Sequence, residues 1–140
     1  VLCYDTRRKV IAAIHAGWRG TVKRIVEKTL DKMAALYGTK GEDVQAYIGP
    51  GISLNAFEVG DEVYEAFEAA GFDMACIARR DEKWHLDLWE ANRIQLLSKG
   101  VKKENVEVTG ICTYQNYTDF FSARRLGIRS GRILSGIMRM

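Results

Sequence analysis

The spacing of apolar residues predicts three amphipathic helices, because they recur every three or four positions as one helical face requires. The predicted helices cover residues 21–37, 61–70 and 87–99, and a glycine follows each of them. Asp87 is placed to cap the third helix, and Glu90 completes a capping-box pattern. The predicted buried stripe of the first helix is Val22, Ile25, Val26, Thr29, Leu30, Met33, Leu36 and Tyr37.

Shorter runs of β-branched and aromatic residues between these helices predict strands. Residues 1–4 and 9–14 form a predicted hairpin, and residues 45–48 run as a strand into the turn sequence GPGIS. Strands that alternate with helices but pair as hairpins favour an α+β fold, with one mixed sheet and helices packed on one side. The remaining predicted strands are residues 74–78, 84–86, 106–114 and 133–138.

The composition is that of one globular domain, with 47% hydrophobic and 28% charged residues over 140 positions. Basic residues are interleaved with acidic ones to give a net charge of +3, which argues against a nucleic-acid-binding surface. No apolar run is long enough to span a membrane. Three cysteines without a Cys-x-x-Cys pair do not make a disulfide framework, so we expect a cytoplasmic protein.

The sequence HAGWRG, residues 15–20, joins an apolar strand to the first predicted helix. Sheet proteins commonly place their chemistry where a strand ends and a helix begins. His15 can bind a metal or transfer a proton through a ring nitrogen, and a buried structural histidine is the alternative. We expect its ring to face a cleft. Arg19 is a candidate anion site beside the first amides of a helix, and a structural ion pair is the alternative.

A second group of candidate residues lies in CTYQNYTDFFSARR, residues 112–125, the end of which is predicted to be an irregular loop. Phe120 and Phe121 can form an aromatic wall for a flat ring. Arg124 and Arg125 can hold an anion. The alternative is a packed loop with exposed arginines.

The other cysteines and histidines are more simply structural. Cys3 and Cys76 are expected to be core residues, and Cys112, which follows a buried strand, is expected to be structural rather than nucleophilic. His85 alternates with apolar residues and is expected on the surface of a strand. Because His15 and His85 are the two histidines, a complete metal site is hard to build from this chain alone.

Five motifs occur in an order that resembles the laccase-domain family: HAGWRG, IGPGI, AFEVG, HLDLWEAN and CTY…FFSARR…SGRI. Members of that family have been called multicopper polyphenol oxidases, peptidoglycan-editing factors and zinc-dependent purine nucleoside phosphorylases. The resemblance covers essentially the whole chain and implies a four-layer α/β/β/α sandwich. It also implies that residues 1–140 are the C-terminal part of one laccase-type domain. The start within strand-like sequence, without an initiator Met, leads us to expect a fragment.

The resemblance implies that His15 is one of three ligands of a catalytic zinc ion. The other two ligands in the family are a cysteine in a TADC strand and a histidine in a QVHG element, which would both precede Val1. Cys3 is therefore not the equivalent of the family's cysteine ligand. We expect residues 1–140 alone to bind zinc weakly and to lack phosphorolytic activity, since a catalytic zinc usually has three protein ligands.

The resemblance also implies a small-molecule substrate, a purine nucleoside together with phosphate. Arg19 with Arg124 or Arg125 would bind the phosphate, and Phe120 with Phe121 would face the purine. A Tyr or His is common in the family between the serine and the first arginine of the FFS-x-RR element, where this chain has alanine. That departure affects one pocket position and leaves the metal ligands untouched.

The favoured interpretation is zinc-dependent phosphorolysis of adenosine, inosine or guanosine. Adenosine deamination, in which a metal-bound water attacks C6 of the base, is a related activity of the same family. Two alternatives remain open from the sequence. One is copper-dependent oxidation of polyphenols, for which two histidines are few. The other is a hydrolase that edits peptidoglycan precursors.

Overall fold

The structure, a computed structural model, describes residues 1–140 and contains two β-sheets where the sequence predicts one. The strands are β1 (Leu2–Asp5), β2 (Val10–Ala13), β3 (Val44–Ile48), β4 (Glu58–Val59), β5 (Ala78–Arg80), β6 (Trp84–Leu86) and β7 (Val106–Val108). The α-helices are α1 (Trp18–Val22), α2 (Ile25–Tyr37), α3 (Asp61–Ala69), α4 (Met74–Ile77), α5 (Leu88–Ser98) and α6 (Ala123–Leu126). The α+β class is confirmed, and no helix is both long and apolar enough to cross a bilayer.

The first sheet has the strand order β2-β1-β3-β7. β1 pairs antiparallel with both β2 and β3, and β3 pairs parallel with β7. α2 and α5 pack against one face of this sheet, so the prediction of helices on one side is confirmed for it. The buried residues of this first core are Cys3, Ile14, Val26, Leu30, Met33, Val44, Ala46, Ile48, Leu96 and Val101.

The second sheet is antiparallel throughout, with the order β4-β6-β5. Its core is more aromatic than the first. α5 contributes to both cores, because Leu88 and Ala91 at its start face the second core and Leu96 near its end faces the first. The other buried residues of the second core are Phe57, Val59, Val63, Phe67, Phe72, Ile77 and Leu86.

α3 and α5 lie where the sequence predicts helices, within one residue at each end. The Asp87 side chain caps α5 by accepting a hydrogen bond from the Glu90 amide at 2.9 Å. The capping box is otherwise not formed. The Glu90 carboxylate instead accepts two hydrogen bonds of 2.7 Å from Arg93, and the Asp87 amide donates to the carbonyl of Ile77 at 2.7 Å.

The predicted helix over residues 21–37 is wrong as one element, because the chain forms α1 and α2 with a break at Arg24. Arg24 has left-handed backbone angles, φ 60° and ψ 42°, which are uncommon for a residue with a side chain. Its guanidinium donates to the carbonyl of Ala70 at 2.8 Å and lies 3.7 Å from the centre of the Phe72 ring. These tertiary contacts hold a break that the helical periodicity does not reveal. The last two stripe residues, Leu36 and Tyr37, are exposed rather than buried.

Three of the predicted strands also need correction. Residues 74–77 form α4, because Asp73 caps the turn by accepting a hydrogen bond from the Ala75 amide at 3.1 Å, and the strand β5 follows. The predicted strand 106–114 ends at Val108, after which a single parallel bridge links Gly51 to Cys112. Residues 133–138 pair with no strand and are irregular, with Leu134 94% exposed.

Candidate functional site

We call residues 15–20 the His15 loop. His15 follows β2 by two residues, and it is exposed whereas its neighbour Ile14 is buried. A Cβ atom at Gly17 would lie 3.1 Å from Nε2 of His15, so glycine leaves room for the imidazole ring. No hydrogen bond or ion pair within the chain involves that ring. The position excludes a buried structural histidine and leaves both ring nitrogens free for a ligand.

The backbone of the His15 loop is held from several directions. The Thr21 amide donates to the carbonyl of Gly17 at 2.8 Å, and the Thr21 hydroxyl donates to the carbonyl of Ala16 at 3.0 Å. A Cβ atom at Gly20 would lie 3.2 Å from the carbonyl oxygen of His15, so a side chain there would crowd the loop. The loop therefore presents a free histidine ring on a fixed backbone.

Arg19 is exposed and takes part in none of the ion pairs of the structure. Its guanidinium carbon lies 4.6 Å from the centre of the Trp18 ring, a cation–π arrangement that leaves the N–H groups accessible. The alternative of a structural ion pair is not observed. The prediction also placed Arg19 at the start of a long helix. Because α1 has five residues, any anion site here would depend on the guanidinium rather than on helix amides.

We call residues 112–125 the arginine segment. Phe120 is half-buried, and Phe121 is 55% exposed with its ring against the backbone of Gly131, where a Cβ atom would lie 2.7 Å from the ring. The side chain of Ser122 caps the four-residue helix α6 by accepting a hydrogen bond from the amide of Arg125 at 3.3 Å. The segment therefore offers aromatic surface on a short and largely exposed element.

The two arginines of this segment contact the protein. Nη1 of Arg124 donates to the carbonyl of Glu58 at 2.8 Å, and the guanidinium carbon lies 5.3 Å from the centre of the Phe57 ring. Arg125 lies between two tyrosine rings, 5.1 Å from the centre of Tyr114 and 4.5 Å from that of Tyr117. Both side chains are exposed, yet each is partly engaged.

The structure does not bring the His15 loop and the arginine segment into contact through any hydrogen bond, ion pair or ring interaction. Two surface grooves, of about 690 and 340 Å³, lie elsewhere on the chain. The larger one is lined by the face of the first sheet that carries no helix, together with residues 137–140. The smaller one runs between β2 and α2. Neither groove is lined by His15, so the cleft predicted beside its ring is not one of these two.

Metal ligands do not cluster within the chain, since no three His, Cys, Asp or Glu side chains are close enough to hold an ion. His85 lies in β6 as predicted, with Nδ1 3.1 Å from the carbonyl of Leu54. His15, with its unpartnered ring, fits the role of one zinc ligand. A catalytic zinc usually has three protein ligands, so His15 alone would not complete such a site.

Cys3 and Cys76 both have thiols whose pKa is raised, for different reasons. Cys3 is fully buried as predicted, and this burial raises the pKa of its thiol to about 11. The prediction for Cys76 is wrong, because its side chain is exposed and hydrogen-bonds to Oδ2 of Asp73 at 3.3 Å. That hydrogen bond and the nearby carboxylate charge raise the pKa of Cys76. Both thiols are thereby kept protonated.

Cys112 is buried as predicted, in surroundings that the sequence does not reveal. The Ser53 hydroxyl and amide both donate to its sulfur, at 3.1 and 3.4 Å. Burial alone would raise the pKa of Cys112, but the hydrogen bonds from Ser53 and from the amides of Gln115 and Tyr114 outweigh it and lower that pKa. The thiol therefore joins the turn after β3 to the start of the arginine segment.

Sequence reasoning also missed three buried polar residues behind the His15 loop: Thr21, Asn92 and Gln95. At most 2% of any of them is exposed. The available signal was the pair Asn92 and Gln95, which are three positions apart on a helix and share the buried side of α5 with Leu96.

The fold and the His15 loop together define a mixed α+β domain with a free histidine and a free arginine where a strand leads into a helix. The sequence model of the family described as multi-copper polyphenol oxidoreductase laccase matches residues 1–140. The chain belongs to this family, which confirms the resemblance noted from its motifs.

Two named proteins and one crystal structure are similar to this chain. The chain is 62% identical over 141 residues to a purine nucleoside phosphorylase of Bacteroides thetaiotaomicron, covering 99% of this chain and 52% of that protein. It is 43% identical over 142 residues to adenosine deaminase RL5 from an unknown prokaryotic organism, covering 99% and 54%. The crystal structure of hypothetical protein YfiH from Bacillus licheniformis superposes with a TM-score of 0.83 at 30% identity, covering 89% and 48%. The chain spans about half the length of these relatives.

Proposed function

We propose that this chain supplies one side of the active site of a zinc-dependent purine nucleoside phosphorylase. The observation that carries the proposal is the His15 loop, where an unpartnered imidazole and an unpaired guanidinium lie four residues apart on a fixed backbone. The proposal is supported by the similarity of nearly the whole chain to the Bacteroides thetaiotaomicron protein named purine nucleoside phosphorylase. Free thiols at all three cysteines agree with a reducing compartment such as the cytoplasm.

In the proposed reaction a phosphate oxygen forms a bond to C1′ of the ribose while the bond from C1′ to the purine nitrogen breaks. The purine leaves with the bonding electron pair and takes up a proton. Arg19 binds and orients the phosphate through two parallel N–H···O contacts, which a planar guanidinium can make. His15 holds the metal, which when bound supplies Lewis-acid stabilisation of developing negative charge.

The arginine segment has the second role in this proposal. Phe120 and Phe121 offer aromatic surface for the purine, since a flat base gains from stacking on such rings. Arg124 adds positive charge near the same surface, although one of its N–H groups is already bonded to the carbonyl of Glu58. The two regions would have to meet across a cleft that also contains the other metal ligands.

A second candidate is adenosine deamination, which the name of the 43%-identical relative, adenosine deaminase RL5, favours. Here water adds to C6 of the base and ammonia leaves, so inosine forms without any phosphate. Copper-dependent oxidation of phenols is less favoured, because a copper cluster needs several histidines and His85 is already bonded to a backbone carbonyl.

The test uses the complete gene product with adenosine, inosine and guanosine, each with and without phosphate. Phosphorolysis predicts free base and ribose 1-phosphate, with turnover that needs phosphate, stops with a chelator and returns with zinc. Conversion of adenosine to inosine without phosphate would indicate the deaminase activity instead. Oxygen uptake with a phenol, restored by copper and not by zinc, would contradict the proposal.

A further inference from the structure

We infer that the Thr21 hydroxyl, oriented by Asn92, is a positioning group for the His15 loop. The inference rests on the proposed function for what the loop binds, and on the hydrogen bonds of this chain for how the loop is held. Neither residue can touch a substrate, since Thr21 is 0% and Asn92 is 2% exposed. Both therefore act through the loop.

The hydrogen bonds run in one direction, from α5 to the loop. The Leu88 carbonyl can only accept, so the atom of Asn92 that lies 2.7 Å from it is the amide nitrogen Nδ2. Nδ2 also donates to Oγ1 of Thr21 at 3.1 Å. The Thr21 hydroxyl has one hydrogen, and its contact with the Ala16 carbonyl, 3.0 Å, is shorter than its 3.4 Å contact with Oδ1 of Asn92. The Asn92 amide thus donates to the Thr21 hydroxyl, which in turn donates to the Ala16 carbonyl.

The last hydrogen bond of this series fixes the Ala16–Gly17 peptide, directly after His15. Ala16 is the next residue, and its carbonyl orientation sets the Ala16–Gly17 peptide plane. The imidazole lies against Gly17, with Nε2 near the space that a Cβ atom would fill. Rotation of this peptide would therefore carry Gly17 into the ring or away from it, so the buried hydroxyl controls where His15 points.

Gln95 holds the other side of Thr21 and explains why the position is rigid. Its Nε2 donates to the Thr21 carbonyl at 3.1 Å, and its Oε1 accepts from the Val26 and Glu27 amides at 3.2 and 3.4 Å. The Val26 and Glu27 amides lie at the start of α2 and have no helical acceptor, whereas the Thr21 carbonyl also accepts from the Arg24 amide at 3.0 Å. Gln95 satisfies both amides and ties them to the Thr21 carbonyl, so the backbone of Thr21 cannot move without loss of buried hydrogen bonds.

The test compares Thr21→Val with Thr21→Ser in the complete gene product. Valine keeps the volume and removes the hydroxyl, whereas serine keeps the hydroxyl. Leu30→Ala, which opens a cavity in the first core and removes no hydrogen bond of the loop, is the control for general loss of stability. The readouts are zinc affinity by competition with a chelating dye, the His15 ring signal in a ¹H–¹³C NMR spectrum at fixed pH, and the KM for phosphate.

We expect Thr21→Val to weaken zinc binding about tenfold, as loss of groups behind a metal ligand commonly does, and to shift the His15 signal. Thr21→Ser should restore both, and Leu30→Ala should lower the melting temperature without changing either. The inference is overturned if Thr21→Val leaves zinc affinity and the His15 signal unchanged, or if Leu30→Ala changes them to the same extent.

Two safeguards keep the outcome interpretable. If Thr21→Val does not fold, Asn92→Asp replaces it. The new carboxylate would draw the Thr21 hydroxyl away from the Ala16 carbonyl, so the same loss is expected, and retained zinc affinity would refute the inference. If the wild-type protein shows no phosphorolysis, the proposed function fails, but the NMR comparison still decides whether Thr21 positions His15.

Discussion

In the His15 loop the backbone is tied down and the functional side chains are free, whereas in the arginine segment the arginines are engaged and much of the backbone is exposed. Ala16 and Gly17 have bonded carbonyls, while His15 and Arg19 have no polar partner in the chain. Arg124, by contrast, already donates to a carbonyl. A free side chain on a fixed backbone loses little further conformational entropy when a ligand binds, which favours the His15 loop as the ligand-binding element.

The largest expected effect is that of His15→Ala in the complete gene product. Loss of a metal that stabilises the transition state by several kcal/mol should lower kcat/KM by about a thousandfold. The melting temperature of the metal-free protein should not change, because the ring is exposed. Release of base from inosine and a thermal melt in chelator check the two parts.

The matched control for that variant is His85→Gln, which removes the other histidine. A comparable loss of activity in His85→Gln would show that the two histidines do not differ as the structure indicates.

The next largest effect is on the KM for phosphate, which should differ between lysine variants of Arg19 and Arg124. Arg19→Lys keeps the charge and loses the planar fork, so KM for phosphate should rise about tenfold, the cost of one charge-assisted hydrogen bond. Arg124→Lys should raise it by a smaller factor, since part of its guanidinium is already bonded to the Glu58 carbonyl. Initial rates at varied phosphate measure both, with zinc content and melting temperature as controls.

Equal effects on KM would remove the distinction between the two regions. A fall in the melting temperature of Arg19→Lys by several degrees, with unchanged phosphate dependence, would instead make Arg19 a structural residue.

A smaller effect concerns the turn before β2, at the end of that strand opposite the His15 loop. Oδ1 of Asp5 accepts hydrogen bonds from the amides of Arg7 and Arg8 at 2.9 and 2.8 Å. Burial alone would raise the pKa of Asp5, but the hydrogen bonds, led by that from the Arg8 amide, outweigh it and lower the pKa. Asp5→Asn should therefore lower the free energy of unfolding by about 2 kcal/mol at pH 7.

The pH dependence of this effect follows from the lowered pKa. Because the folded pKa lies below the unfolded one, the stabilisation is complete above the ordinary Asp range near pH 4. It is lost as the pH falls through the folded value. Urea unfolding of both proteins from pH 7 to pH 3 should show the wild type approach the variant at the acid end, and a constant difference would contradict the assignment.

The smallest effect is expected in the arginine segment. Ser122→Ala removes the cap of α6 and should cost about 1 kcal/mol, the usual loss for a helix cap. Because α6 is four residues long and exposed, the change should appear as faster proteolysis of residues 120–130 rather than as a large shift in melting temperature. A greater global loss than that of Asp5→Asn would mean that the arginine segment is the better-anchored region.

Local signals in the sequence predicted part of the fold correctly. α3 and α5 carry a glycine stop and an apolar stripe, and Asp87 marks the start of α5, so each helix is specified by residues within its own length. The break at Arg24 depends on Ala70 and Phe72, more than forty positions away, and no local pattern reports it. The prediction for Cys76 fails for a related reason, since the apolar run 74–78 predicts a strand where the Asp73 cap begins a helix.

The candidate site also has one part that local sequence predicts and one part that depends on tertiary packing. HAGWRG predicts that His15 and Arg19 lie where a strand leads into a helix, and the structure places both there with exposed side chains. The Thr21, Asn92 and Gln95 network was not predictable, because it forms only when α5 packs behind the loop.

The left-handed arginine also imposes an order of events on folding. An L-residue with a side chain pays about 1–2 kcal/mol for that backbone conformation, so residues 18–37 by themselves would favour one continuous helix. The contacts that offset this cost come from Ala70 and Phe72. During synthesis the broken form therefore gains these contacts only after residue 72 has left the ribosome. The segment that follows the His15 loop is thus stabilised by residues made much later than itself.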